Sequence, residues 1–129
     1  MNILDENILK DERQLLQRWR VAIHQIGYDV GRKGMQDEEI IPFLHQLPRP
    51  TFFTRDEDFY ERSLCHPRYC LVFLDVAQYE VAVFVRRVLR HREFNTQAKR
   101  MGTVIRVAHV GLLVWRSHTE QEIRFEWAR

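Results

Sequence analysis

Two stretches, TFFT at 51–54 and CLVFLDV at 70–76, are apolar at nearly every position. Successive side chains of a strand point to opposite faces, so a strand with no polar side has cover on both. That is the condition of a parallel sheet layered between helices, and it makes the fold class α/β. At 129 residues the chain is long enough to bury a core of its own, and we read residues 1–129 as a single domain.

The remaining pattern fits that frame. NIL at 2–4 is a short apolar run closed by DEN, and a helix pattern follows from Ile8 to Ile26, with Leu15, Leu16, Trp19, Ala22, Ile23 and Ile26 on one face and Gly27 as its stop. YDV at 28–30 reads as a second strand before the turn GRKG, where two glycines admit unusual backbone angles. DEEIIPFLHQL reads as a short helix capped by Asp37, its start disturbed by Pro42. TFFT and CLVFLDV are the third and fourth strands. YEVAVFVRRVLRHR repeats apolar residues at Val81, Val85, Val88 and Leu89, a helix period. NTQAKRMGTVIRVAHVG fits a helix from Asn95 to Gly111 with Ala98, Met101, Ile105 and Ala108 on its apolar face, and a strand at TVIRVAH competes with it. The tail LLVWRSHTEQEIRFEW alternates about a polar turn, the pattern of a terminal hairpin. The sum is a mainly parallel sheet with helices on both faces and a C-terminal hairpin.

No apolar run approaches the ~18 residues a membrane helix needs. The start MNILDENILKDERQ has acids where a secretory signal has bases, so the expected setting is the cytoplasm, without membrane contact. Cys65, His66 and Cys70 in CHPRYC leave a zinc site one ligand short, and the reading is two reduced thiols. The six histidines form no nucleophilic pairing, His24, His45, His91 and His109 falling in expected helices, and GRKG lacks the spacing of a phosphate loop.

Charge is uneven. The net value is +2, yet Arg86, Arg87, Arg90, Arg92, Lys99, Arg100 and Arg106 face a single acid, Glu93, so this stretch carries +6 and everything else −4. Such a stripe suits a polyanion, and Tyr60 or Tyr79 offers a ring for unpaired bases. The acids gather where strands end: Asp5 and Glu6 after the first, Asp37 and Glu38 after the second, Asp56, Glu57 and Asp58 after the third, Asp75 at the fourth. In open α/β sheets ligands bind beyond that edge. Carboxylates so gathered raise one another's pKa unless a cation neutralises them, and an oxygen-only set selects Mg²⁺ or Mn²⁺ over zinc. The competing reading makes Asp37 and Asp56 helix caps and their neighbours complements of helix dipoles.

Three motifs in order, ILDENI, DEEII and FFTRDEDF, resemble those of the PIN-like nucleases, specifically the small bacterial branch found as toxins in toxin–antitoxin pairs. The resemblance covers essentially the whole chain. It implies a three-layer PIN-like domain and a metal-dependent endoribonuclease of the VapC type, with a cognate antitoxin protein as partner and a homodimer as a further possibility. Carried over by motif, the Mg²⁺ or Mn²⁺ ligands and catalytic acids are Asp5, Asp37, Asp56 and Asp58, with Glu6 and Glu38 second. Thr54 holds the turn through its hydroxyl and Arg55 meets a phosphate or carboxylate. RNA would lie on Arg55, Arg86, Arg87, Arg90, Lys99 and Arg100. The alternative is a non-catalytic module that keeps the fold and docks a basic partner segment or RNA.

Overall fold

Phe52 and Phe53 are adjacent and both fully buried, on opposite sides of one sheet. The computed structural model describes residues 1–127. Its chain order is β1 (Asn2–Leu4), α1 (Lys10–Arg18), β2 (His24–Gln25), α2 (Asp37–Leu44), β3 (Thr51–Thr54), β4 (Cys70–Leu74), α3 (Val81–Arg90), α4 (Gln97–Arg100), β5 (Thr103–Ala108), β6 (Gly111–Arg116) and β7 (Ile123–Phe125). The seven strands form one sheet in the order β2-β1-β3-β4-β5-β6-β7, in which β6 alone runs against the others: the first five pair in parallel, and β5–β6 and β6–β7 pair antiparallel.

Alternation along these strands divides the core in two. Leu4, Phe53, Val72 and Ile105 face one side, where Leu16 of α1 and Val81, Val85 and Val88 of α3 cover them. Ile3, Phe52, Leu71 and Val104 face the other, under Ile40 and Leu44 of α2 and Phe59. This is a three-layer α/β arrangement. Each buried phenylalanine contributes on the order of 1.5–3 kcal/mol, so a one-residue slip of β3 would leave every large side chain on the wrong layer. Glu12 ties the two helices of the first layer, its Oε1 accepting from the backbone N–H of Ala82 at 3.0 Å.

Several expectations need correction. The helix begun after DEN ends at Arg18, not Ile26: Arg20 takes a positive φ of 60°, and His24–Gln25 are drawn out as β2 beside Ile3 and Leu4. YDV is not that second strand; only Val30 bridges, to Ile26. α2 runs unbroken through Pro42, and its cap position is held by Gln36, with Asp37 its first residue. The largest difference is at 95–111, where a four-residue α4 stops at Gly102 (φ 84°) and TVIRVA is strand β5. The helical spacing of Ala98, Met101, Ile105 and Ala108 lost to Thr103, Val104, Ile105 and Val107, β-branched residues buried on both faces between β4 and β6. His24 is in β2, His45 and His91 terminate α2 and α3, and His109 lies in the β5–β6 turn. The terminal hairpin is present as β6 and β7. No helix among the described residues is long and apolar enough to cross a membrane.

Candidate functional site

The chain leaves β1 toward α1 on one face and leaves β3 toward the turns at Phe59 and Leu64 on the other. Where neighbouring parallel strands send their exits to opposite sides, a crevice opens at their C-terminal ends. Here it is a cleft of ≈ 360 Å³ lined by Asp5, Glu6, Asp37, Arg55 and Asp56 among others.

Thr54, the last residue of β3, is fully buried and organises the cleft. Its hydroxyl donates to Oδ2 of Asp5 at 2.6 Å and accepts from the backbone N–H of Asp56 at 3.0 Å. The turn contact expected of this hydroxyl is therefore present, with Asp5 added to it. Asp56 in turn accepts from the N–H of Asp58 at 2.9 Å, capping the short turn Glu57–Phe59. The cap reading thus holds for Asp56. It fails for Asp37, whose side chain caps nothing and extends toward Asp56 and Asp58.

Asp37, Asp56 and Asp58 each bring one oxygen within 4.8 Å of the others. Oxygens on one octahedral Mg²⁺ at 2.0–2.1 Å stand about 2.9 to 4.2 Å apart, so a small inward rotation of these side chains would seat the ion. Electrostatics run the same way. Desolvation at the crowded rim, then the carboxylates of Asp56, Asp5 and Asp58, push the pKa of Asp37 up. Burial pushes Asp5 up more than its hydrogen bonds from Thr54 and the Glu6 backbone pull it down, and Asp56 and Glu6 add repulsion. The donor set is all carboxylate, hard and anionic, which fits Mg²⁺ or Mn²⁺.

The secondary acids are occupied elsewhere. Glu6 accepts from the N–H of Gly34 at 2.8 Å and lies where a Cβ on Gly27 would strike it, so it fastens the loop after β2 to the cleft wall. Glu38 is exposed and outside the triad, while Glu39 pairs with Arg32. Asp75 is held by Arg106 at 2.6 Å. Both thiols are free and burial raises their pKa, Cys70 to about 12, which leaves no thiolate nucleophile.

Apart from Arg106 at Asp75 and Arg55 at the cleft, the basic residues do not converge on the acids. α3 begins at the acid edge and runs about 15 Å away from it, ending at Arg90. Arg86 stacks on Trp19 at 3.7 Å and Arg87 on Trp127 at 4.1 Å. Lys99 is tied to the Arg92 carbonyl and Asn95. Arg100 corrects the expectation outright: it is 6% exposed, bonded to Thr51 Oγ1 and the Phe94 carbonyl, and builds the core beneath β3. Arg55 does line the cleft, but its Nε donates to the Val76 carbonyl at 3.0 Å, not to a carboxylate.

No family model matches the chain, and no curated protein or solved structure matches it significantly.

Proposed function

We propose that this protein is a metal-dependent endoribonuclease, hydrolysing RNA phosphodiesters at the cleft between β1 and β3. The observation that carries the reading is that Asp37, which has no capping task, meets Asp56 and Asp58 within 4.8 Å beside a partly desolvated Asp5. A Mg²⁺ or Mn²⁺ bound there would supply an acidified water and a Lewis acid for a phosphoryl oxygen. Asp37, Asp56 and Asp58 are the residues to hold it. Asp5, clamped by Thr54 and kept partly out of water, is a stronger base than a surface carboxylate and suits proton acceptance. Arg55, anchored through Nε, keeps its terminal nitrogens for a phosphate at the same cleft. Action as the toxin of a toxin–antitoxin pair belongs to the same proposal and rests on the motif resemblance.

The test is a pair of measurements. Millimolar Mn²⁺ should raise the thermal midpoint, because an ion bound only by the folded form stabilises it by mass action, and should support cleavage of a fluorophore-quencher RNA. A midpoint that ignores Mn²⁺ would overturn the metal site. Binding of Mn²⁺ without cleavage would leave the module that docks a partner.

A further inference from the structure

Strand register places Thr54, Phe73, Arg106, Leu113 and Arg124 in a single cross-strand row: Thr54 is opposite Phe73, Phe73 opposite Arg106, Arg106 opposite Leu113, and Leu113 opposite Arg124. Register partners project to the same side, and this is the side of Phe52, Leu71 and Val104. The row therefore starts at the residue that clamps Asp5 and runs straight out across the sheet to its last strand.

α2 covers this side only near β1 and β3. Over β5 to β7 no α-helix covers the face, but the turns after β3 edge onto it, with Tyr60 beside Glu122 and Arg106 and with Glu57 also facing Arg106; Arg106, Ala108, Leu113 and Trp115 are half-buried and Arg124 is exposed. A pocket of ≈ 250 Å³ lies there, lined by Arg106, Ala108, Leu113 and Arg124 with the turn at Val110–Gly111. Trp115, in the neighbouring row opposite Val104, has the Arg62 guanidinium 5.6 Å from its ring centre.

We infer that this row is the track for the substrate strand: a single-stranded RNA whose phosphates are held by Arg106 and then Arg124 on one side of the acid cleft. The inference rests on the nuclease reading for its direction, and three features select the occupant. Asp75 engages Nε and one terminal nitrogen of Arg106 through a single oxygen, so the guanidinium is oriented with further donors left for a phosphate. Arg124 has no acidic partner among the described residues. A half-apolar sheet floor bearing Trp115 and Arg62 suits unpaired bases, which stack without regard to sequence. Arg106 lies about two strand spacings, ~10 Å, from Thr54, and Arg124 about four, ~19 Å. About three to four nucleotides of single strand cover that span.

The experiment uses fluorescein-labelled single-stranded RNAs of two to eight nucleotides, read by anisotropy in chelator so that nothing is cleaved. Wild type is compared with Arg124→Gln and with Arg18→Gln, which removes the same charge from the far end of α1. Arg124 is exposed on the edge strand, and thermal midpoints of both variants verify folding. Affinity should climb with length until the strand reaches β7. Arg124→Gln should weaken the longer RNAs by about threefold to tenfold, lower the salt slope by about 0.7, and leave the dinucleotide unchanged. Equal effects from both substitutions, or wild-type affinity independent of length, would overturn the track. Cleavage with Mn²⁺ separates the two readings. Wild-type cleavage with KM untouched by Arg124→Gln defeats the track and spares the nuclease. Length-dependent binding lost in Arg124→Gln, with no cleavage by any form, keeps the track and defeats the nuclease.

Discussion

The Thr54 hydroxyl donates to Oδ2 of Asp5 at 2.6 Å, and its Oγ1 accepts the N–H of Asp56 at 3.0 Å, so one buried side chain fixes acids that are 51 positions apart in sequence.

Thr54→Val keeps the shape of β3 and removes both bonds. A hydrogen bond to a charged group contributes about 1.5–3 kcal/mol, and the expected loss of stability is of that size, read as a urea midpoint. Without the donor, Asp5 should titrate higher still. Thr54→Ser restores the hydroxyl and should recover most of both effects. A Val variant as stable as wild type would show the clamp to be dispensable.

Asp5 has a folded pKa raised above 3.8, so the folded form takes up a proton more readily than the unfolded one. Its contribution to stability is complete below about pH 3.8 and is lost as pH rises through the folded value. His66 works in the opposite sense: burial, His45 and Arg68 lower its pKa from 6.5, so stability declines as pH falls below that point. The difference between Asp5→Asn and wild type cancels His66 and leaves the Asp5 carboxyl together with its repulsion of Asp37, which acts in the same direction. In metal-free buffer the variant's advantage should be greatest at pH 7 and shrink toward pH 4. Any offset from altered hydrogen bonding is constant with pH, so a flat difference curve would contradict the raised pKa.

Asp56 and Asp58 separate a cap from a ligand. The Asp58 carboxylate caps nothing and Asp56 receives the Asp58 N–H. Asp58→Asn should therefore leave the metal-free protein as stable or slightly more so, whereas Asp56→Ala should cost about 1 kcal/mol. Both should abolish the Mn²⁺-induced rise in midpoint. Retention of that rise in either variant would remove the residue from the ligand set.

Glu12→Ala should destabilise by about 1–3 kcal/mol, because it strands the Ala82 N–H at the buried junction of α1 and α3. Glu12→Gln keeps an oxygen acceptor and should cost less. Urea titration of the two variants decides the point, an equal loss in both meaning that something other than the acceptor matters.

How legible all this was depended on how local the signal was. TFFT and CLVFLDV announced strands buried on both faces because the residues themselves carry the evidence, and the acids of LDEN, DEEI and TRDEDF announced a strand-edge cleft for the same reason. TVIRVA was ambiguous because its apolar residues satisfy both periods, and the choice was made by β4 and β6 on either side. Arg100 read as one more surface cation; only the fold shows Thr51 and the Phe94 carbonyl waiting for it. Arg124 carries no such local signal: its neighbour across the sheet is Leu113, and no sequence pattern connects the two.

The position of β3 between β1 and β4 governs when the acids can meet. All four belong to the first 58 residues, yet β3 is hydrogen-bonded on one edge to a strand made long before it and on the other to one made after it. A chain emerging from the ribosome with Cys70 still untranslated carries every carboxylate of the cleft, but Phe52 and Phe53 have no β4 to pack beside and α3 does not exist to close the layer. On the proposed reading, the cleft would be assembled only once the strand and helix that flank β3 have been made, so the second half of the chain decides when the first half's acids come together.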